Sequence, residues 1–516
     1  MNLASETFQS LSSASVTRRG FLLGVTALGL AACSSGSATS SSSSTPATSA
    51  TSTSTASASS TTTATTTNGS LVIPPLLTGT TFDISLSTSS VQYMPGSETP
   101  TYGYNGADFW GPTLVLKKGD QVTLNVTNNL TDETTTHWHG MHIPAEMDGG
   151  PHQVIAAGAT WSPTFEVKNS AATYWYHPHM HETTQKQMIL GAGGFIIVQD
   201  DEESALALPR TYGVDDIPLV LTSRRFTSTN EFDVTGAYGD YLLANGVMNA
   251  TASLPAQMVR LRLLNTEIER YYNVALGGRT FYVIATDGGL LNAPLPVTEL
   301  RMAPGERYEI VIDLSKDAVG TQVTLQAMNA GMPFGAGGSE TDQSGEFGSK
   351  LNNTNFDLLG ITVTAATDNA ITSLPATLAS NTLWTEADAT NSRAIAITDK
   401  GPGSPFTFDN KGYSMETIDQ TVKLDAVEKW TITNGPTFGH SFHIHDVQFA
   451  IVSRSTGDVA DYEKGWKDTF AILPNESVTF VAKFNDFTSD MHPYMYHCHM
   501  ANHEDGGLMG QFLVVA

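Results

Sequence analysis

The histidines of this 516-residue chain are its residues best suited to chemistry, and they are grouped. None lies in the 258 residues between His181 and His440. Histidines scattered through a core or over a surface would not leave that gap, so we expect two distant segments to meet around one centre. The fourteen positions are His137, His139, His142, His152, His177, His179, His181, His440, His443, His445, His492, His497, His499 and His503.

Four pairs of histidines are separated by a single residue. These pairs are His137/His139, His177/His179, His443/His445 and His497/His499. In a strand, residues i and i+2 point to the same face, so each pair directs two imidazoles one way. Imidazole suits zinc, copper, iron and nickel. Eight imidazoles exceed the four ligands of a zinc site, which favours a multinuclear copper centre.

Cys498 lies inside the last pair and should point to the opposite face of its strand. With His440 and His503 it makes a His₂Cys set, the trigonal ligand set of a blue-copper electron-transfer site. The backbone then connects that site to His497 and His499. This connection suits electron transfer and has no use in a hydrolytic zinc enzyme.

The segments that must position these residues have the pattern of short β-strands. Runs such as 112–128 and 476–484 alternate apolar and polar residues and are rich in β-branched types. Such runs recur in the same order three times at a period of about 150 residues, and the middle copy contains no histidine. We therefore predict an all-β fold of three consecutive Greek-key β-barrel or sandwich domains, with a structural middle domain.

The motifs HWHG, HPH, HSFHIH and HCHMANHEDGGLMG resemble, in order and spacing, the four copper-binding motifs of the multicopper oxidases. The resemblance covers about residues 75–516 and is strongest to the bacterial three-domain, laccase-like group. It implies three cupredoxin-like domains and four copper ions. It also implies the family's reaction, in which a substrate loses single electrons at type 1 copper and a trinuclear cluster reduces O₂ to two waters.

The same resemblance implies a role for each ligand. Type 1 copper is expected on His440, Cys498 and His503, and type 2 copper on His137 and His443. The paired type 3 coppers are expected on His139, His177, His179, His445, His497 and His499. The remaining histidines, His142, His152, His181 and His492, are interpreted as neighbouring or surface groups.

Reduction of O₂ consumes four protons, and the family places acidic residues near the cluster. Asp148 in EMDGGP and Glu504 in NHEDGG match those positions. Each is predicted to relay protons or to orient a ligand histidine. For Asp148 the competing interpretation is that it only shapes the turn before Gly149 and Gly150.

Leu508 stands ten residues after Cys498, where many bacterial members have methionine as a weak axial ligand of type 1 copper. Leucine cannot coordinate a metal. The loss of a thioether donor destabilises Cu(II) relative to Cu(I), so a more oxidising site is expected. Met509 is adjacent, but in a strand its side chain would point to the other face.

The reductant is predicted to be a small phenol or aromatic amine. Relatives that oxidise Cu(I) have a methionine-rich insertion in the third domain, and here residues 366–412 contain no methionine run. An envelope cuprous oxidase conferring copper tolerance is the alternative. A cupredoxin-like protein without activity is disfavoured because all ten histidines and the cysteine are present. A two-domain nitrite reductase is disfavoured by the third repeat.

The composition limits the partners. The formal net charge is −25 and the pI is about 4.8, which disfavours nucleic acid and anionic headgroups. The two cysteines, Cys33 and Cys498, cannot form a disulfide framework. Apart from a lipid anchor, we expect a monomer whose partners are O₂ and a small reductant.

The N-terminal residues are interpreted as an export address and a tether. Arg18 and Arg19 precede a short apolar stretch, which resembles a twin-arginine signal, and LAAC at 30–33 resembles a lipobox that would acylate Cys33. We therefore expect export to the periplasm or cell envelope. The predicted segments are the signal 1–33, a disordered Ser/Thr-rich linker 34–70, and domains 71–205, 206–365 and 366–516.

Overall fold

The structure is a computed structural model that describes residues 68–345, 347–399 and 405–516. The predicted signal, the lipobox cysteine Cys33 and nearly all of the predicted linker lie outside these ranges. Among the described residues, no helix has the length and apolarity needed to cross a bilayer.

Two five-stranded sheets form the first part of the fold. One has the order β2-β5-β11-β10-β7, and the other has the order β4-β3-β6-β8 with β9 also on β6. β1 pairs instead with a strand of the middle part. The strands are β1 (Asn68–Ser70), β2 (Leu76–Thr78), β3 (Thr81–Val91), β4 (Thr99–Tyr104), β5 (Thr113–Lys117), β6 (Gln121–Asn128), β7 (His137–His139), β8 (Thr160–Trp161), β9 (Thr164–Glu166), β10 (Ala172–His177) and β11 (Gly194–Gln199).

The alternation expected from the sequence is visible in β6, where every second side chain is buried. Those side chains join residues of both sheets, such as Ile84 and Ile196, in one apolar core. The helices here are α1 (Thr184–Leu190), α2 (Asp201–Ser204) and a 3-10 turn at Ala145–Met147.

A twelve-stranded sheet, which includes β1, forms the middle part. Its path runs β18-β17-β20-β15-β12-β13-β14-β22-β21-β16-β19, and side chains from both halves of that path meet in one core. The strands are β12 (Asp216–Arg224), β13 (Tyr241–Ala244), β14 (Val247–Pro255), β15 (Met258–Asn265), β16 (Tyr272–Ala275), β17 (Phe281–Thr286), β18 (Gly289–Val297), β19 (Glu299–Met302), β20 (Arg307–Asp313), β21 (Gln322–Met328) and β22 (Asn355–Thr364).

The last part again consists of two five-stranded sheets, β24-β23-β26-β30-β28 and β25-β32-β31-β27-β29. The strands are β23 (Asn391–Thr398), β24 (Thr407–Phe408), β25 (Gln420–Lys423), β26 (Ala426–Asn434), β27 (His440–Ile444), β28 (Phe449–Arg454), β29 (Thr469–Ile472), β30 (Ser477–Phe484), β31 (Tyr494–Cys498) and β32 (Met509–Val515). The helical turns are α3 (Ala501–Asp505) and 3-10 turns at Glu386–Asp388 and Asp461–Glu463. The prediction of an all-β chain is confirmed.

Candidate metal centre

The two faces of β31 and β27 separate the cysteine from the histidines. Cys498 and Phe442 lie opposite each other in register and both belong to the apolar core of the last part. His497 and His443 form the next pair along the ladder and point to the other face. The period of two in a strand therefore directs the thiol inward and the imidazoles outward.

Strands β7 and β10 have the same arrangement in the first part. Trp138 and Tyr176 are paired in register and belong to its apolar core. His137 and His177 form the neighbouring pair on the opposite face. The histidines of the first and last parts are thus directed out of their own cores and meet each other.

Two sets of three imidazoles result, each drawn from both ends of the chain. In the first set, His139 Nδ1 lies 3.2 Å from His499 Nε2, and the His177 ring centre lies 5.6 and 5.2 Å from theirs. In the second set, His179 Nε2 lies 3.2 Å from His497 Nε2. The His445 ring centre lies 5.1 and 5.3 Å from those two rings.

The remaining two imidazoles bridge these sets. His137 and His443 have ring centres 6.0 Å apart. His137 stacks on His445 at 3.8 Å, and His443 stacks on His139 at 3.8 Å. The eight paired histidines are each at most 1% exposed and form one enclosed group.

The unpaired nitrogen atoms test whether metal ions fit this group. Nε2 has no hydrogen-bond partner in His137, His177, His443 and His445. In His137 and His443, Nδ1 donates instead to the carbonyls of Asp148 and Asp468, both at 2.9 Å. A buried polar atom without a partner costs about 1–3 kcal/mol, so several converging Nε2 lone pairs fit bound cations.

Burial also keeps these rings in the form that binds metal. It lowers the pKa of His139, His177, His179, His443, His445 and His499 well below the usual value for histidine. The neighbouring imidazoles lower these pKa values further, because a second positive charge would be repelled. The rings are therefore neutral and able to coordinate.

A second, smaller cluster lies on the core side of β31. Cys498 Sγ is 3.5 Å from His440 Nδ1 and 3.6 Å from His503 Nδ1, and the two nitrogens are 3.1 Å apart. Ligands of one ion at about 2.0–2.3 Å are separated by roughly 3.5 Å in a trigonal arrangement. Burial raises the pKa of the Cys498 thiol to about 12, so a thiolate here requires a cation.

Exposure distinguishes one candidate ligand of this smaller cluster. The side chain of His503 is 9% exposed, whereas His440 and Cys498 are at most 1% exposed. The rings of Phe406 and Phe438 border His503 at 4.6 and 5.7 Å. His503 is the point at which a molecule in solution can come closest to this cluster.

Asp148 and Glu504 each contact two of the candidate ligands. Asp148 Oδ2 lies 2.7 Å from His445 Nδ1, and its Oδ1 lies 3.4 Å from His137 Nδ1. Glu504 lies 3.1 Å from His179 Nδ1 and 3.3 Å from His497 Nδ1. Burial raises the pKa of Glu504, but these two rings outweigh that effect and lower it to about 2.

The turn after Asp148 requires glycine for its own reason. Gly149 has a φ of +78°, and a Cβ there would lie 1.8 Å from the carbonyl oxygen of Thr136. Gly149 therefore makes the turn, while the Asp148 side chain reaches the imidazoles. The interpretation of Asp148 as only a turn residue does not account for these contacts.

Two further acidic residues at the clusters were not predicted from the sequence. Asp468 Oδ1 lies 3.2 Å from His139 Nε2, and Glu269 Oε1 lies 3.6 Å from His503 Nε2. Glu269 is 1% exposed, and burial raises its pKa to about 7. Neither lies in a histidine motif, and their contacts join segments more than 200 residues apart, so no local pattern identifies them.

Three of the four remaining histidines have partners outside the clusters. His142 is paired with Asp446 at 2.7 Å and Asp486 at 2.9 Å. His152 Nε2 contacts Gln511 Oε1 at 2.8 Å, and the His181 ring packs on Tyr413 at 5.1 Å.

Family models described as multicopper oxidase match residues 85–203, 220–331 and 381–516. A relative from Staphylococcus haemolyticus, named multicopper oxidase mco, is 32% identical over 84% of this chain and 88% of its own length. A relative from Edwardsiella tarda, named cell division protein FtsP, is 32% identical over 86% and 92%.

Solved structures show the same likeness. The laccase-like multicopper oxidase CueO of Ochrobactrum sp. is 33% identical and has a TM-score of 0.77, covering 86% of this chain and all of that one. McoA from Aquifex aeolicus is 28% identical and has a TM-score of 0.78, covering 87% of this chain and all of that one. The predicted cupredoxin-like fold in three domains is confirmed. The chain belongs to the multicopper oxidase family.

Proposed function

We propose that this protein couples four one-electron oxidations of a phenol or aromatic amine to the reduction of O₂ to two waters. The observation that carries the proposal is the position of Cys498. Its side chain belongs to one cluster, and its two chain neighbours, His497 and His499, belong to the other. An electron accepted at the smaller cluster therefore has a short covalent path to the larger one.

The donor sets fit four copper ions in the family's arrangement. His440, Cys498 and His503 would hold type 1 copper, and His137 and His443 would hold type 2 copper. The type 3 pair would lie on the two sets of three, namely His139, His177 and His499, and His179, His445 and His497. Bound copper supplies the one-electron redox chemistry and the four electrons that O₂ requires.

The carboxylates hold the imidazoles and handle protons. Asp148 Oδ2 accepts from His445 Nδ1, and the Asp148 carbonyl accepts from His137 Nδ1, which directs the Nε2 atoms of both rings inward. The Glu504 carboxylate lies beside Nδ1 of His179 and of His497. Both carboxylates are buried beside the eight paired histidines, where the reduction of O₂ would consume four protons. We assign proton delivery to them in addition to positioning.

The surroundings of His503 favour an organic reductant. Two phenyl rings, Phe406 and Phe438, can pack on an aromatic molecule, and the Glu269 carboxylate lies where it can accept an O–H or N–H hydrogen. A phenol that loses an electron also loses its proton, so an acceptor beside His503 assists the step. Carboxylate oxygen is a hard ligand that Cu(I) does not prefer.

Substrate profiling of the copper-loaded protein under air tests the proposal. We expect four phenols to be oxidised for each O₂ consumed, with less turnover of Cu(I). Glu269→Gln should reduce turnover of a phenol more than that of ferrocyanide, which has no proton to give. Oxidation of Cu(I) without oxidation of phenols would instead identify the cuprous oxidase, and the absence of O₂ uptake with any reductant would overturn the proposal.

We further propose that the chain is exported and held at a membrane through Cys33, as a monomer. The support is the signal-like and lipobox-like sequence at residues 17–33. Fractionation of cells expressing the full chain should place it with membranes and place Cys33→Ala in the soluble envelope fraction. Identical distributions would exclude the lipid anchor.

A further inference from the structure

The middle part of the fold contributes no candidate ligand, yet one of its arginines lies directly behind the imidazoles. Arg307, the first residue of β20, is fully buried and uses all five of its N–H groups. Nε donates to Thr173 O, one Nη1 hydrogen to Gly305 O and one Nη2 hydrogen to Asp287 O, each at 3.1 Å. The other two hydrogens form a two-pronged pair with Asp468, both at 2.6 Å.

Asp468 in turn contacts two imidazoles of the larger cluster. Its Oδ1 lies 3.2 Å from His139 Nε2, and its backbone carbonyl accepts from His443 Nδ1 at 2.9 Å. Thr469 Oγ1 donates to the same Oδ1 at 2.8 Å and lies 3.1 Å from His443 Nδ1. A single residue, Asp468, therefore connects the guanidinium group of Arg307 to His139 and His443.

His139 is oriented differently from its neighbours. In His137 and His443, Nε2 has no hydrogen-bond partner. In His139, Nε2 contacts the Asp468 carboxylate, and Nδ1 faces His499 Nε2 at 3.2 Å. A carboxylate that accepts from Nε2 keeps the proton there and leaves the Nδ1 lone pair for a metal. This orientation depends on where the Asp468 carboxylate is held.

We propose that Arg307 is a positioning residue for the trinuclear site. Its planar fork fixes the Asp468 carboxylate, which selects the tautomer of His139 and aligns His443. The histidine-free middle domain then determines the geometry of the type 2 and type 3 sites. This inference rests on the proposed function, because it assumes that these imidazoles bind copper.

A purely structural role for Arg307 is the competing explanation, and Arg262 provides a matched control. Arg262 is 5% exposed and forms a two-pronged pair with Asp216 at 2.7 and 2.8 Å. It also contacts Glu309 and the Thr173 side chain. None of these partners is a candidate ligand, so its replacement affects burial and pairing alone.

The experiment compares Arg307→Lys with Arg262→Lys in the copper-loaded full chain. Lysine keeps the charge but lacks the fork. Both variants should unfold at a lower temperature and keep the blue type 1 absorption. Arg307→Lys alone should change the hyperfine coupling of type 2 Cu(II) in the EPR spectrum and slow reoxidation of the reduced enzyme by O₂ about tenfold or more.

The inference is overturned if Arg307→Lys has the same type 2 EPR spectrum and the same reoxidation rate as the wild type. If that variant does not fold, Asp468→Asn replaces it, because the amide keeps the size of the carboxylate but cannot accept from both prongs of the Arg307 fork. A type 2 spectrum unchanged in Asp468→Asn would then overturn the inference. If the wild type binds no copper, the proposed function itself fails, which is a separate result.

Discussion

Leu508 is the single side chain that we expect to tune the smaller cluster. It is fully buried in the same apolar core as Cys498, and its carbonyl accepts from Cys498 N at 3.0 Å. Met509 is paired with His497 across the sheet and is not part of that core. The thioether next in the chain is therefore on the wrong face to replace the missing donor.

Leu508→Met should lower the type 1 reduction potential. A thioether on the core side can donate to the metal and stabilises Cu(II), by an amount on the order of tens of millivolts. Redox titration of the blue absorption measures the change. Met509→Leu is the control and should leave the potential unaltered; a rise or no change in Leu508→Met would contradict the assignment.

Asp148→Asn should slow the reaction with O₂ without changing the blue absorption. The amide keeps the size of the carboxylate but loses its charge and half of its acceptor capacity toward His137 and His445. Loss of such a partner costs about 10–100-fold in activity or metal affinity. Stopped-flow reoxidation with a copper count checks this, and a rate equal to that of the wild type would remove Asp148 from the mechanism.

At the scale of single elements, a strand serves the core and the metal centre at once. On β7, Trp138 is fully buried in the core while His137 and His139 face the opposite way. On β31, Tyr496 and Cys498 face the core and His497 faces the imidazoles. Packing of the aromatic residues therefore fixes how far the strand lies from the metal centre.

Trp138→Ala should destabilise the protein and weaken copper binding together. Truncation of a buried tryptophan costs about 3–5 kcal/mol, and the strand can then shift under its two histidines. Thermal unfolding of the copper-free chain and copper analysis measure the two effects. Phe281→Ala, in the core of the middle part, should cost stability while the copper content equals that of the wild type.

At the scale of the whole molecule, the larger cluster lies where the first and last parts of the chain meet. Each set of three imidazoles takes members from both. Any ion bound there must link the two parts, so metal binding and folding are coupled.

Removal of copper should therefore lower the unfolding temperature. A ligand at one hundred times its Kd adds about 2.7 kcal/mol for each site that exists only in the folded chain. Calorimetry before and after chelation measures the difference, and reloading with copper should restore it. Equal unfolding temperatures would show that the sites do not hold the two parts together.

A second link between the first and last parts depends on pH. Burial lowers the pKa of His142, but Asp446 and Asp486 outweigh it and raise the pKa to about 9. A raised pKa contributes stability that is complete below about pH 6.5 and is lost as the pH rises through about 9. His142→Gln should therefore unfold a few degrees lower than the wild type near pH 6 and nearly equally at pH 10; parallel curves at all pH values would contradict the pairing.

Local sequence determined the strands, their faces and the histidine motifs, because the period of two follows from covalent geometry and repeats wherever polar and apolar residues alternate. The same rule assigns Cys498 and His497 to opposite faces of β31 from their adjacent positions in the chain alone. Domain boundaries within the chain stay a prediction.

The tertiary structure decided which imidazoles share a set, which nitrogen of His139 faces inward, and that Asp468, Glu269 and Arg307 belong to the clusters. The His139–His499, His139–Asp468, Glu269–His503 and Arg307–Asp468 contacts each join residues more than 160 positions apart. They exist only because three separately packed cores bring their surfaces together. A periodic pattern in the sequence does not indicate which surfaces of separate cores contact each other. That contact depends on the shapes of the packed surfaces.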